Sequence, residues 1–159
     1  MANIYHQVLI DASAEEIYEA VTTCPGLSQW WIKNCDAKPE VGYVNRFRRP
    51  NGVTNLMKVT ELNKNEFVQW QCQNEADGWS GTTLSFEISR KGELGCLDFR
   101  HNDYKDTNQF YAICNYQWAR HLTMLKNFCE TGENQLTRER EKQEEEYVRR
   151  AHNTGKSRL

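Results

Sequence analysis

The residues with chemistry to offer are few and scattered. The four histidines, at 6, 101, 121 and 152, show no paired spacing of the kind that ligates a metal. The chain has no G-x-S-x-G elbow, no H-E-x-x-H, no phosphate loop and no dinucleotide fingerprint. An enzyme built from it would have to work with one or two polar groups inside an apolar pocket. There burial shifts pKa values, and a single histidine or carboxylate serves as acid or base. His101 is the candidate catalytic residue. By strand alternation it follows Leu97 and Phe99 onto an inward face, near a strand end. As a base it would take a proton from an acidic carbon, and as an acid it would help expel water. The plainer alternative is a histidine bonded to its neighbours that holds the Asn102-Asp103-Tyr104 loop, since perturbed sites need a charge partner. His6 also alternates inward but reads as a satisfied core residue. His121 only borders a helix face.

Aromatic side chains are the second signal, dense for the length. A stacking cavity for a planar or lipophilic molecule would use them, with indole N–H groups fixing its orientation. Ordinary core packing is the alternative for any one of them. The candidate ligand-binding set is Trp31, Phe47, Met57, Trp70, Cys72, Trp79, Phe86, Phe99, His101, Tyr111, Cys114, Trp118 and Leu122. Trp30-Trp31 would gate the mouth, one of the pair plugging the core. Arg46, Arg48 and Arg49 fall around one strand, either meeting an anionic ligand at the rim or forming a solvated face.

The elements that must position these residues follow from periodicity. Thr107 to Gly132 is the longest helical pattern, with Tyr111, Cys114, Trp118, Leu122, Leu125 and Cys129 on one face. Thr107 suits the N-cap, and Gly132 suits a left-handed C-terminal cap. Residues 3–10 alternate as a strand. Ser13 and Glu16 form a capping box ahead of a short helix, and Pro25 sits at the start of a second. Six further strands are expected near 34–38, 42–50, 53–62, 66–74, 82–90 and 94–102, broken by turn residues such as Asn51-Gly52. One sheet face collects Phe47, Met57, Val59, Val68, Trp70, Cys72, Leu84, Phe86, Ile88, Leu97 and Phe99. The other carries Arg46, Arg48, Lys58, Thr60, Gln69, Gln71, Gln73, Ser85, Glu87 and Asp98. A sheet with one wet face needs an apolar partner on the other, and the long helix is the element available.

Composition bounds the rest. At 159 residues the chain fits one domain, 1–132, and a charged, partly helical or disordered tail, 133–159. Glu145–Arg149 and Glu146–Arg150 have helix-supporting spacing in that tail. A net charge of −2 is no nucleic-acid footprint. No apolar run approaches the ~20 residues that span a bilayer, and no export signal opens the chain. A cytoplasmic protein is expected, with six reduced cysteines, no metal and no cofactor.

The order strand, two short helices, antiparallel meander and long C-terminal helix resembles the helix-grip fold of the START-like (SRPBCC) superfamily. The resemblance is carried by VLIDASAEEIYEAVTT at 8–23, LSQWW at 27–31, PEVG at 39–42, NRFRRPNG at 45–52, MKVTEL at 57–62, FVQWQC at 67–72, WSGTTLSFEI at 79–88, DFRHNDY at 98–104 and LKNFCETG at 125–132. It is nearest to polyketide cyclase/dehydratase-like and heat-shock-protein ATPase activator-homologue-like members. It implies an α+β fold, β-α-α-β6-α, whose seven-stranded curved antiparallel sheet wraps the C-terminal helix around a deep apolar cavity. His101 matches a histidine common at this point in similar sequences. Binding of a small hydrophobic, aromatic, polyketide-like or lipid-like molecule is the function implied. A cyclase- or dehydratase-like enzyme is one alternative, and a stress-related interaction module, in the tail or as a homodimer, is another. Co-chaperone action in the activator family relies on a further N-terminal domain, and with the first strand opening this sequence, stimulation of a chaperone ATPase is not the function expected.

Overall fold

The structure, a computed structural model, describes residues 1–75 and 77–136. The chain runs β1 (Ala2–Ile10), α1 (Ala14–Thr22), α2 (Cys24–Trp30), β2 (Asn34–Asp36), β3 (Val44–Arg48), β4 (Thr54–Asn63), β5 (Phe67–Cys72), β6 (Thr83–Lys91), β7 (Leu94–Tyr104) and α3 (Gln109–Thr131). All strand pairs are antiparallel, in one seven-stranded sheet of order β1-β7-β6-β5-β4-β3-β2. This is the helix-grip architecture, with strand bounds within three residues of the expected ones. The expected tail pairs, Glu145–Arg149 and Glu146–Arg150, lie outside the described residues. The packed unit does not stop at Gly132, however, because Leu136 is buried and Asn134 bonds Gln29 across 3.0 Å.

Alternation sorts the faces as expected. Every apolar residue assigned to the inner face, from Phe47 to Phe99, is buried, while Arg46, Arg48, Lys58, Gln71, Gln73 and Glu87 are exposed. The α1–α2 hairpin closes one end. Ser13 Oγ accepts from Glu16 N–H at 3.1 Å and donates to the Glu16 carboxylate at 3.0 Å, so the box closes through the hydroxyl. Thr23 caps α2, its Oγ1 accepting from Gly26 N–H at 3.2 Å. The helices meet so closely at Gly26 that a Cβ there would lie 2.5 Å from Ala20 Cα. The Trp30 indole donates to Ala20 carbonyl oxygen across the same joint at 2.8 Å.

Helix α3 is 23 residues long, about 34 Å at 1.5 Å per residue. Asn108, not Thr107, is its N-cap, accepting from Tyr111 N–H at 3.0 Å, and Gly132 ends it at φ +76°. Its inner face buries Cys114, Trp118, His121, Leu122, Met124 and Leu125. Its flank protects the open edge of β1. Tyr111 OH donates to Asn3 carbonyl oxygen at 2.8 Å, Lys126 Nζ to Leu9 carbonyl oxygen at 2.6 Å, and His6 bonds Asn115 at 2.9 Å. An unpaired strand edge invites pairing with other chains, and these side chains occupy it. The opposite edge, β2, has only three residues. All six cysteines are free thiols, three of them buried (Cys72, Cys96 and Cys114), and the sulfurs of Cys24 and Cys35 meet at 3.1 Å.

Candidate functional site

The space between sheet and α3 is filled by stacked rings. Trp31 contacts Phe47 (centroids 4.5 Å), Trp118 (5.2 Å) and Trp70 (6.2 Å), while Trp118 contacts Phe99 (4.5 Å) and Trp79 (5.9 Å, interplanar 14°). Phe86 meets Trp70 and Phe99, each at 5.4 Å. Such pairs add to area burial and lock one another's rotamers. Of the expected ligand-binding set, Phe47, Met57, Trp70, Phe86, Phe99 and Leu122 form this dense core, with Cys72 at its margin. Tyr111 is elsewhere. It stands half-buried at the sheet edge, its hydroxyl spent on β1 as above, because the start of α3 lies over that edge rather than over the interior.

His101 sits at the bottom of a buried polar chain. An indole N–H can only donate, so the 3.1 Å contact from Trp118 Nε1 makes His101 Nδ1 an acceptor. The proton is then on Nε2 and goes to Thr82 Oγ1 at 2.8 Å, which donates in turn to Trp79 carbonyl oxygen at 2.7 Å. Tyr104 OH also donates to Nδ1, at 2.9 Å. Both ring nitrogens are therefore occupied. Burial, helped by the charge of Arg49, pulls the imidazole pKa down to about 3, and burial pushes the Tyr104 phenol up. The ring is a neutral strut at physiological pH.

Above this chain is an opening of about 10 Å³ lined by Trp31, Arg49, Trp79, Cys114, Gln117, Trp118 and His121, room for about one water. Four of the expected residues line it (Trp31, Trp79, Cys114 and Trp118), and His101 does not. Three others come from elsewhere. Arg49 follows β3, held by backbone bonds to Val53 and Gly52 in the Asn51-Gly52 turn. Its guanidinium lies 4.4 Å from the Trp79 ring centroid, and its Nε donates to buried Asn55 Oδ1 at 2.5 Å. Burial lowers its pKa from the ordinary arginine value. Gln117 and His121 belong to one turn of α3, joined by a 2.9 Å contact from His121 Nδ1 to Gln117 carbonyl oxygen. Trp79 Nε1 is buried without a hydrogen-bond partner. Among the described residues, no three His, Cys, Asp or Glu side chains converge on a point that would hold a metal ion.

The profile of the family described as "Activator of Hsp90 ATPase homolog 1-like protein" matches residues 11–130. The chain belongs to this family. Among solved structures it is similar to the Aha1 dimer of Colwellia psychrerythraea, with 38% identity, 83% of this chain and 98% of that one covered, and a TM-score of 0.77. Two more distant likenesses show the same fold. Protein MLL2253 of Mesorhizobium loti has 15% identity, covers 79% of this chain and 95% of its own, and has a TM-score of 0.70. DynU16, a putative protein of the dynemicin biosynthetic locus, has 17% identity, covers 83% of this chain and 48% of its own, and has a TM-score of 0.70. No curated protein sequence matches the chain. This activator-like domain thus has the superfamily's helix-grip frame, with an interior occupied by its own side chains. Among the described residues no helix is long and apolar enough to cross a membrane.

Proposed function

We propose that this domain is a binding module for a small, planar, largely apolar molecule, seated in the mouth between sheet and α3 rather than in a deep chamber. The observation that carries the reading is the convergence of Trp31, Trp79 and Trp118 with the Arg49 guanidinium on one solvent-reaching opening. The indole edges that reach this opening, beside a cation, suit the rim of a ring-shaped ligand of about ten heavy atoms. At roughly 0.5 kcal/mol per atom this gives a dissociation constant in the sub-millimolar range. Catalysis by His101 receives no support from its setting, since acid chemistry needs a protonated ring and base chemistry a free lone pair. The buried thiols fit a reducing compartment such as the cytoplasm. Calorimetric titration with indole tests the reading. Saturable binding that weakens at least severalfold in Trp79→Leu is expected, and no binding to the folded wild type would contradict it.

A second reading, association of two copies, has its own observation. Phe110, Ile113 and Tyr116 form an exposed apolar stripe along α3, at 42%, 47% and 66% exposure, on one helical face by their spacing. The Colwellia relative is a dimer. The stripe is the surface where a second copy of this chain docks.

A further inference from the structure

Arg49 is a charge set into the wall of the opening without a counter-charge. Among the described residues no carboxylate lies within ion-pair distance of it; Asp77 acts on it only through its field. A half-buried guanidinium of this kind loses hydration, and the face of Trp79 restores only part of that loss. Two contacts hold its plane in place, the ring of Trp79 on one face and Asn55 Oδ1 at Nε. With Nε committed, the fork left to the group is the end-on pair, Nη1 and Nη2. Neither has a hydrogen-bond partner among the described residues. Its neighbour in the wall, Trp79, has the buried indole N–H without an acceptor.

An end-on guanidinium fork matches two coplanar oxygens, because two parallel N–H···O bonds form only with a flat, bidentate acceptor. The opening beside it admits about one water-sized body, 10 Å³. It can therefore take one oxygen of a molecule's head, while the second oxygen and the ring stay outward over the rim, since Trp31, Trp79 and Trp118 are themselves buried. We propose that the opening is a carboxylate-recognition site, and that the molecule it binds is a small aromatic carboxylate whose two oxygens pair with Nη1 and Nη2 of Arg49. This rests on the reading of the mouth as a ligand site, and adds the charge of the ligand and the residue that reads it.

The test compares benzoate with benzamide, the same ring with a neutral head of equal shape, by calorimetry on the full chain. Benzoate is expected to bind wild type about tenfold or more tightly than benzamide, as for a charge-assisted pair. In Arg49→Gln that ratio falls towards one. If Arg49→Gln does not fold, Arg49→Lys takes its place. It keeps the charge but loses the fork, so the benzoate preference is expected to drop severalfold. Equal affinities in wild type, or a preference that survives both substitutions, would overturn the carboxylate assignment while leaving the mouth as a site for apolar rings. If neither probe binds, the ring-binding reading fails, and the Arg49 guanidinium ¹H–¹⁵N signals under sodium acetate decide the carboxylate site separately. A saturable shift sustains it and an unmoved signal overturns it.

Discussion

Lowering the pH from 7 to 5 is expected to remove about 2 kcal/mol of folding stability through His101 alone. The ring is neutral in the fold with a pKa of about 3 and returns to 6.5 in the unfolded chain. Between those values the unfolded chain binds more protons, so stability rises with pH across the window. It is fully present above pH 6.5 and is lost as pH falls towards 3. The slope approaches 1.36 kcal/mol per pH unit well inside the window and flattens near its upper end, which leaves about 2 kcal/mol between pH 7 and 5. The opposing contribution of protonating the strut in place is closed off, since Nδ1 already accepts from Trp118 and Tyr104. Urea unfolding at pH 7, 6 and 5 measures the loss, with His101→Gln as the comparison that removes the titrating group. Glu130, held below the usual carboxylate range by Asp11 N–H and Lys126, loses its contribution chiefly below pH 5, outside the range measured. Wild type losing no more stability than His101→Gln would rule out a depressed His101 pKa. It would place the ring in a hydrated or charge-compensated site.

Gly26→Ala forces a methyl to within 2.5 Å of Ala20 Cα and is expected to destabilise the domain by about 1–3 kcal/mol, as overpacking does, with a matching fall in the urea midpoint. Trp70→Ala, by emptying the centre of the ring stack, is expected to cost about 3–5 kcal/mol in the same measurement. Ile113→Glu places a charge in the α3 stripe and is expected to shift the chain from dimer to monomer in sedimentation velocity, with its far-UV spectrum unchanged. A wild-type chain that is monomeric at high concentration contradicts the second-copy reading.

The fold was legible because its signals were local and periodic. The Ser13/Glu16 box, the Asn51-Gly52 turn and the alternation of Phe47, Met57, Val68, Trp70, Leu84 and Phe86 each pointed the same way. The site was harder to read. Arg49 shares the parity of Phe47 and so belongs inside, but grouping it with its exposed neighbours Arg46 and Arg48 hid that. Asn55 shares the parity of Met57, and Thr82 that of Leu84, and both are buried polar partners of the site. Tyr104 could not be reached by alternation at all. Asp103 adopts φ +71°, a left-handed turn of the backbone that swings Tyr104 back under His101. Periodicity identifies the wall of the interior, whereas the volume left inside depends on how the rings stack, and stacking has no signature in spacing.

On the proposed reading the mouth, and not the sealed core, is the binding site. The ¹H–¹⁵N spectrum of the indole groups tests it most directly, because the chain carries five tryptophans in distinct settings. Three line the opening, while Trp30 and Trp70 are sealed in the core, Trp30 with its N–H bonded to Ala20. On titration with benzoate, the signals of Trp31, Trp79 and Trp118 are expected to move together with one dissociation constant, while Trp30 stays in place. Uniform movement of all five, or saturable movement led by Trp30 and Trp70, would rule out the mouth as the site.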